Sequence, residues 1–156
     1  MNDMKKARIL IYTRKSQNEY TESLANSIHL AYSEGEEDFK PLNLNYGILF
    51  ATATIDSQNV IQEKGLKNPY LFRTNDGNFA IIAVRVDNKG NDDPESKGHI
   101  LLWTSKDLIS FNYCGLLKLH EDLYVKEAVC EFNADNNMYE IRWQGYDGNS
   151  YIKTIK

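Results

Sequence analysis

Apolar residues along this chain fall in short runs rich in β-branched and aromatic side chains, separated by clusters of Asn, Asp, Gly and Ser. No long window repeats apolar positions at i, i+3, i+4 and i+7, so amphipathic helices are not expected and strands are. The pattern predicts strands at ARILIYT (7–13), SIHLAYS (27–33), GILFATAT (47–54), PYLFRT (69–74), NFAIIAVRV (78–86), HILLWTS (99–105), FNYCGLLKL (111–119), YVKEAVCEFN (124–133), MYEIRWQG (138–145) and YIKTIK (151–156). Asn75-Asp76-Gly77, the Asn/Asp-rich stretch 133–137 and Asp147-Gly148-Asn149 supply residues that tolerate positive φ between such runs. Sequential antiparallel pairing follows, in a meander.

A spacing then recurs. Tyr32-Ser33 is followed by five residues and Phe39, and Thr104-Ser105 by five residues and Phe111. PYLFRTNDGNFAIIAV also matches EAVCEFNADNNMYEIRW as strand, Asn/Asp turn, strand. Repeated four-stranded meanders of about fifty residues predict β-propeller blades. The expected fold is therefore all-β, a single domain over 1–156: a partial propeller with a first-blade remnant at 7–54, a second blade at 69–119 and a third at 124–156. A β-sandwich is the alternative.

Composition narrows the function classes. With 156 residues the chain suits one core, and its net charge of −4 gives no electrostatic reason to expect nucleic acid. MNDMKK precedes too few apolar residues for a signal-peptide core and no run approaches a membrane span, so a soluble, unexported chain with no membrane partner is expected. Cys114 and Cys130 lie in strand-like runs and read as core thiols, with a disulfide left open. His29, His99 and His120 lack metal spacing. Asp92, Asp93 and Glu95 cluster in the loop 87–98 but lack the regular ligand spacing of a calcium loop, so neither metal nor cofactor is expected. Ser-centred elbows and Gly-rich phosphate loops are absent from the sequence.

GLKNPYLFR, then HILLWTSKDLISF, then KEAVCEFNADNNMYEIRW together resemble the five-bladed propellers of glycoside hydrolase family 43, the arabinofuranosidase and xylosidase group, over most of 7–156. The resemblance implies a central pocket with a general base, a general acid and an aspartate that tunes the acid. For inversion, the acid and base stand roughly 6.5–9.5 Å apart. It places Glu127 where the general acid would be and Asn68 where the tuning aspartate would be. An amide cannot present the negative charge that keeps a neighbouring Glu protonated, and Lys126 beside Glu127 favours its ionised form. In the family the base sits at the start of the first blade's innermost strand, whereas this chain is expected to begin at about the second strand of that blade; Asp3 is the sole carboxylate before Ala7, and no catalytic role is expected of it. Arg14, Arg85, Asp87, Trp143 and Tyr146 are the expected lining of the pocket, at the end formed by residues 14–26, 87–98 and 146–150. On plain reading, Asn68-Pro69 is a turn that starts a strand, Glu127 a solvated strand-start residue, and Trp103 and Trp143 core residues.

The expected function is carbohydrate-directed, with an oligosaccharide or glycoside as ligand and an incomplete catalytic set: a degenerate hydrolase or sugar-binding fragment. A glycosidase of arabinosides or xylosides completed by another chain, and a structural module without a pocket, are the alternatives. An open propeller arc exposes blade flanks, so self-association or a covering partner is expected.

Overall fold

A computed structural model of the chain describes residues 6–14 and 26–156. Among these, strands β1 (Ala7–Tyr12), β2 (His29–Glu34) and β3 (Lys40–Pro41) form one sheet, and β4 (Thr54–Ile55) and β5 (Ile61–Gln62) a small ribbon. Strands β6 (Lys64–Arg73), β7 (Phe79–Asp87), β8 (His99–Ser105) and β9 (Asn112–Lys118) form a four-stranded sheet, and β10 (Val125–Asn133), β11 (Met138–Gly145) and β12 (Ser150–Ile155) a three-stranded one. Every paired neighbour is antiparallel and consecutive in sequence. The fold is all-β, built of local meanders, as the strand pattern implied; this layering is compatible with both a partial propeller and a sandwich.

The turns carry the chemistry that their residues promised. Asp76 accepts from the backbone N–H of Asn78, and Asp147 from that of Asn149, with Gly77 and Gly148 at positive φ where a Cβ would be strained. The repeated Ser spacing is also physical. Ser33 Oγ donates to the Glu37 carbonyl (2.5 Å) and Ser105 Oγ to the Ser110 carbonyl (2.7 Å), and the following strand begins immediately after Phe39 and Phe111 respectively.

The four-stranded sheet is covered on both faces. Against one face, Ile82, Val84 and Ile100 pack with Ala128, Cys130, Ile141 and Trp143 of the C-terminal sheet; against the other, Leu66, Ile81, Ala83, Leu101 and Trp103 pack with Ile28 and Leu49. Each such aliphatic side chain contributes about 1.5–3 kcal/mol of transfer free energy. Cys130 sits inside the first of these clusters, and burial pushes its thiol up to about 12, leaving it an apolar filler. Cys114 is exposed, and both cysteines are free thiols.

Two expected elements differ. Of GILFATAT, residue Leu49 makes a single bridge to Ile28 and residues 50–53 lie outside strands. Ile48 and Ala51 pack on the core while Phe50 is exposed, so the apolar pattern reports contact with a neighbouring sheet instead of a paired ladder. A Cβ on Gly47 would stand 2.2 Å from Ser27 Oγ, so a glycine there lets this tether pass close to the residues that lead into β2. The second difference is β6, which starts at Lys64 instead of residue 69, so Asn68-Pro69 lies within a strand and does not begin one.

Candidate active site

The register of β6 against β7 slips between Lys67 and Tyr70: Lys67 faces Val84 and Tyr70 faces Ile82, so Asn68 and Pro69 together oppose Ala83. This β-bulge accommodates a proline that has no N–H to give to the ladder. Asn68 adopts φ 50, a left-handed conformation that Asn tolerates better than most residues. From there its Nδ2 donates to the Lys126 carbonyl at 2.7 Å, tying β6 to the start of β10. A carboxylate at this position could only accept, and would meet the carbonyl oxygen unfavourably. The amide thus has a structural task of its own.

Glu127 is exposed, beside a second register shift between Val125 and Glu127, and is paired across the ladder with Gln144. It shares with Asn68 a cleft of about 490 Å³, whose walls include Tyr70, Arg142, Trp143 and Ser150.

Immediately behind Asn68, Lys67 Nζ contacts Tyr146 Oη at 2.5 Å and Asp92 at 3.2 Å, and lies 5.2 Å from the centre of the Tyr146 ring. Burial alone would lower the Lys67 pKa, but the hydrogen bonds and charges of Tyr146 and Asp92 outweigh it and the net shift is upward. Loop residues 92 and 146 are thereby brought to the end where β6 and β10 begin. The segment that leads into β2 reaches the same end, since Leu66 N–H donates to the Asn26 carbonyl at 2.6 Å.

The remaining expected residues are distributed as follows. Arg85 points into the interior and gives its Nε to Asp93 Oδ2 at 2.7 Å, while Lys64 Nζ meets Asp93 Oδ1 at 2.7 Å; all three side chains are buried. Asp87 accepts from the N–H groups of Lys89 and Asn91 and shapes its own turn. Trp143 is 3% exposed and stacks on Tyr151 with ring centres 4.4 Å apart, so only a small part of it borders the cleft. Arg14 donates to the Asn45 carbonyl at 3.2 Å on the first sheet's side. Asp3 lies outside the described residues.

Asp92 is engaged by Lys67, Asp93 by Lys64 and Arg85, and Glu95 by Thr54 and the same Lys64. Among the described residues no group of three His, Cys, Asp or Glu side chains is placed to hold a metal ion. The sequence reading missed Lys67. Only the bulge, which puts Lys67 and Tyr70 on one face despite their spacing, reveals it.

A family model described as a probable glycosyl hydrolase domain, related to glycoside hydrolase family 43, matches residues 7–146. The chain belongs to this family. No curated protein matches it at a significant level. The span shared with the glycosyl hydrolase family includes Arg14, Asn68, Arg85, Asp87, Glu127, Trp143 and Tyr146, and ends just before β12.

Proposed function

We propose that this member of the glycosyl hydrolase family binds carbohydrate and has lost the acid–base machinery for cleaving it. The observation that carries this reading is the Asn68 amide seated on the Lys126 carbonyl at 2.7 Å. Where the family resemblance calls for a carboxylate that holds the general acid protonated, this chain has a donor already spent on the backbone next to Glu127. Glu127 itself is exposed to solvent and follows Lys126 in the chain. In the propeller arrangement the resemblance implies, the cleft between Asn68 and Glu127 opens to the central hollow.

The test is titration with arabino- and xylo-oligosaccharides alongside aryl arabinoside and xyloside assays. Saturable binding without turnover is expected. The exposure of Glu127 favours one other reading, a glycosidase whose base comes from another polypeptide. Turnover that disappears in Glu127→Gln would establish that reading in place of ours. Absence of both binding and turnover would leave a structural module.

A further inference from the structure

A second polar cluster stands where β1 ends and β2 begins, and no step above uses it. His29 is 4% exposed; its Nε2 lies 3.2 Å from Ser27 Oγ, while its buried Nδ1 makes no well-formed hydrogen bond among the described residues, the Asn45 backbone offering at most a poorly aligned one. Leaving such an atom unpaired costs about 1–3 kcal/mol, so a buried orphan needs an explanation. The Tyr12 ring stacks on the imidazole, with centres 5.3 Å apart.

Arg14 is adjacent and half-buried. One of its terminal nitrogens is held by the Asn45 carbonyl, and among the described residues it makes no ion pair. Asn45 is itself fixed by Tyr12 Oη, which donates to its Oδ1 at 2.7 Å. It closes a run of three left-handed residues, Asn43, Leu44 and Asn45, with φ of 51, 54 and 62. A left-handed Leu is costly, and the chain holds this turn against that cost, presenting the Asn45 carbonyl to Arg14.

The cluster therefore combines a guanidinium with no ion-pair partner among the described residues, whose fork suits a carboxylate, with a buried imidazole nitrogen that lacks a well-formed hydrogen bond. We infer that Arg14 and His29 form a subsite for the carboxylate of an acidic sugar, a uronic acid residue of the oligosaccharide, with Tyr12 and Asn45 holding both side chains in place. The inference rests on the carbohydrate reading above and specifies its substrate class. Burial first, and the Arg14 charge second, lower the pKa of His29, with the Asn45 backbone opposing. The groups facing the ring are Tyr12 and Arg14 from the β1 side, Ser27 beside β2, and Asn45 from the turn after β3. An arriving carboxylate would offset the Arg14 charge and give Nδ1 a partner, so binding should be accompanied by proton uptake at His29.

The experiment uses the full chain. Oligosaccharides carrying glucuronic or galacturonic acid are titrated calorimetrically beside their neutral counterparts, with sodium acetate and inorganic phosphate as separate arms, while the His29 ring is followed by NMR across pH. Expected are binding of the acidic sugar about tenfold or more tighter than the neutral one, as a charge-assisted hydrogen bond implies, an upward move of the His29 titration on binding, and loss of the preference in Arg14→Gln. The His29 titration needs no variant and so remains decisive if substitution disturbs the fold. Equal affinity for acidic and neutral sugars overturns this subsite and leaves the carbohydrate reading intact. A His29 response to acetate or phosphate as large as that to the uronate overturns the sugar assignment. If neither class of oligosaccharide binds, the carbohydrate reading itself fails.

Discussion

Strands β7 and β11 are each the second strand of an antiparallel meander, yet they are written differently. FAIIAVRVD is buried almost throughout, whereas in MYEIRWQG burial alternates from Ile141 on, with Arg142 and Gln144 exposed between Ile141, Trp143 and Gly145. The reason is coverage. β7 has a sheet on each side and must be apolar in both directions, while among the described residues β11 has one on the side of Trp143 only. On the uncovered side, Glu127, Glu131, Glu140, Arg142 and Thr154 make a polar surface relieved by Val129 and Ile152, with Arg142 reaching Glu131 at 3.3 Å and Glu140 at 3.5 Å. Such exposed pairs stabilise little. The candidate acid Glu127 belongs to this polar face, and its neighbour Asn68 to the sheet that is covered on both.

The comparison can be broken most sharply at the central sheet's charges. Asp93→Ala would leave Arg85 as an uncompensated buried cation and Lys64 with only the partly exposed Glu95 at 3.3 Å, and should cost about 3–5 kcal/mol in denaturant unfolding. The pH dependence follows the same residue. Burial would raise the Asp93 pKa, but hydrogen bonds and charges from Lys64 and Arg85 hold it below the usual range. Its contribution is therefore complete above the unfolded value of about 3.9 and is lost as pH falls through the lower native value. Acid unfolding curves of the wild type and Asp93→Asn should converge on acidification; parallel curves would show that Asp93 is not the group responsible.

Next in size is Ile82→Ala, which empties a position between two sheets and should cost about 2–5 kcal/mol. Asn68→Gly keeps the left-handed backbone and removes the amide, so a loss of about 0.5–1.5 kcal/mol would isolate the bond to Lys126. No loss at all would mean that the amide does not hold β6 to β10. The smallest change belongs to the uncovered face: Ile152→Thr should shift stability by no more than about 0.5 kcal/mol. A cost approaching that of Ile82→Ala would show the face to be covered in solution, and solution mass would then tell whether a second copy covers it.

Strand content was readable because alternation and turn residues act locally: the runs at 78–86, 99–105, 124–133 and 138–145 lie within a residue or so of β7, β8, β10 and β11. The tether after Gly47 was misread because an apolar run against a neighbouring sheet has the composition of a strand. Residues 64–68 were missed because Asn-Pro signals a turn, and nothing local distinguishes a turn from a bulge inside a longer strand.

At the site, the sequence by itself determined that an uncharged amide precedes Pro69 and that Glu127 follows a lysine; covalent order is enough for that. The partners were decided by tertiary structure alone. Arg85, read as pocket lining, is neutralised by Asp93 in the interior; Lys67 joins Tyr146 across 79 positions; and His29 keeps a buried nitrogen unpaired beside Arg14. Each of those outcomes depends on which faces of which sheets meet, and a side chain's environment in a β-protein is set by that meeting instead of by its chain neighbours.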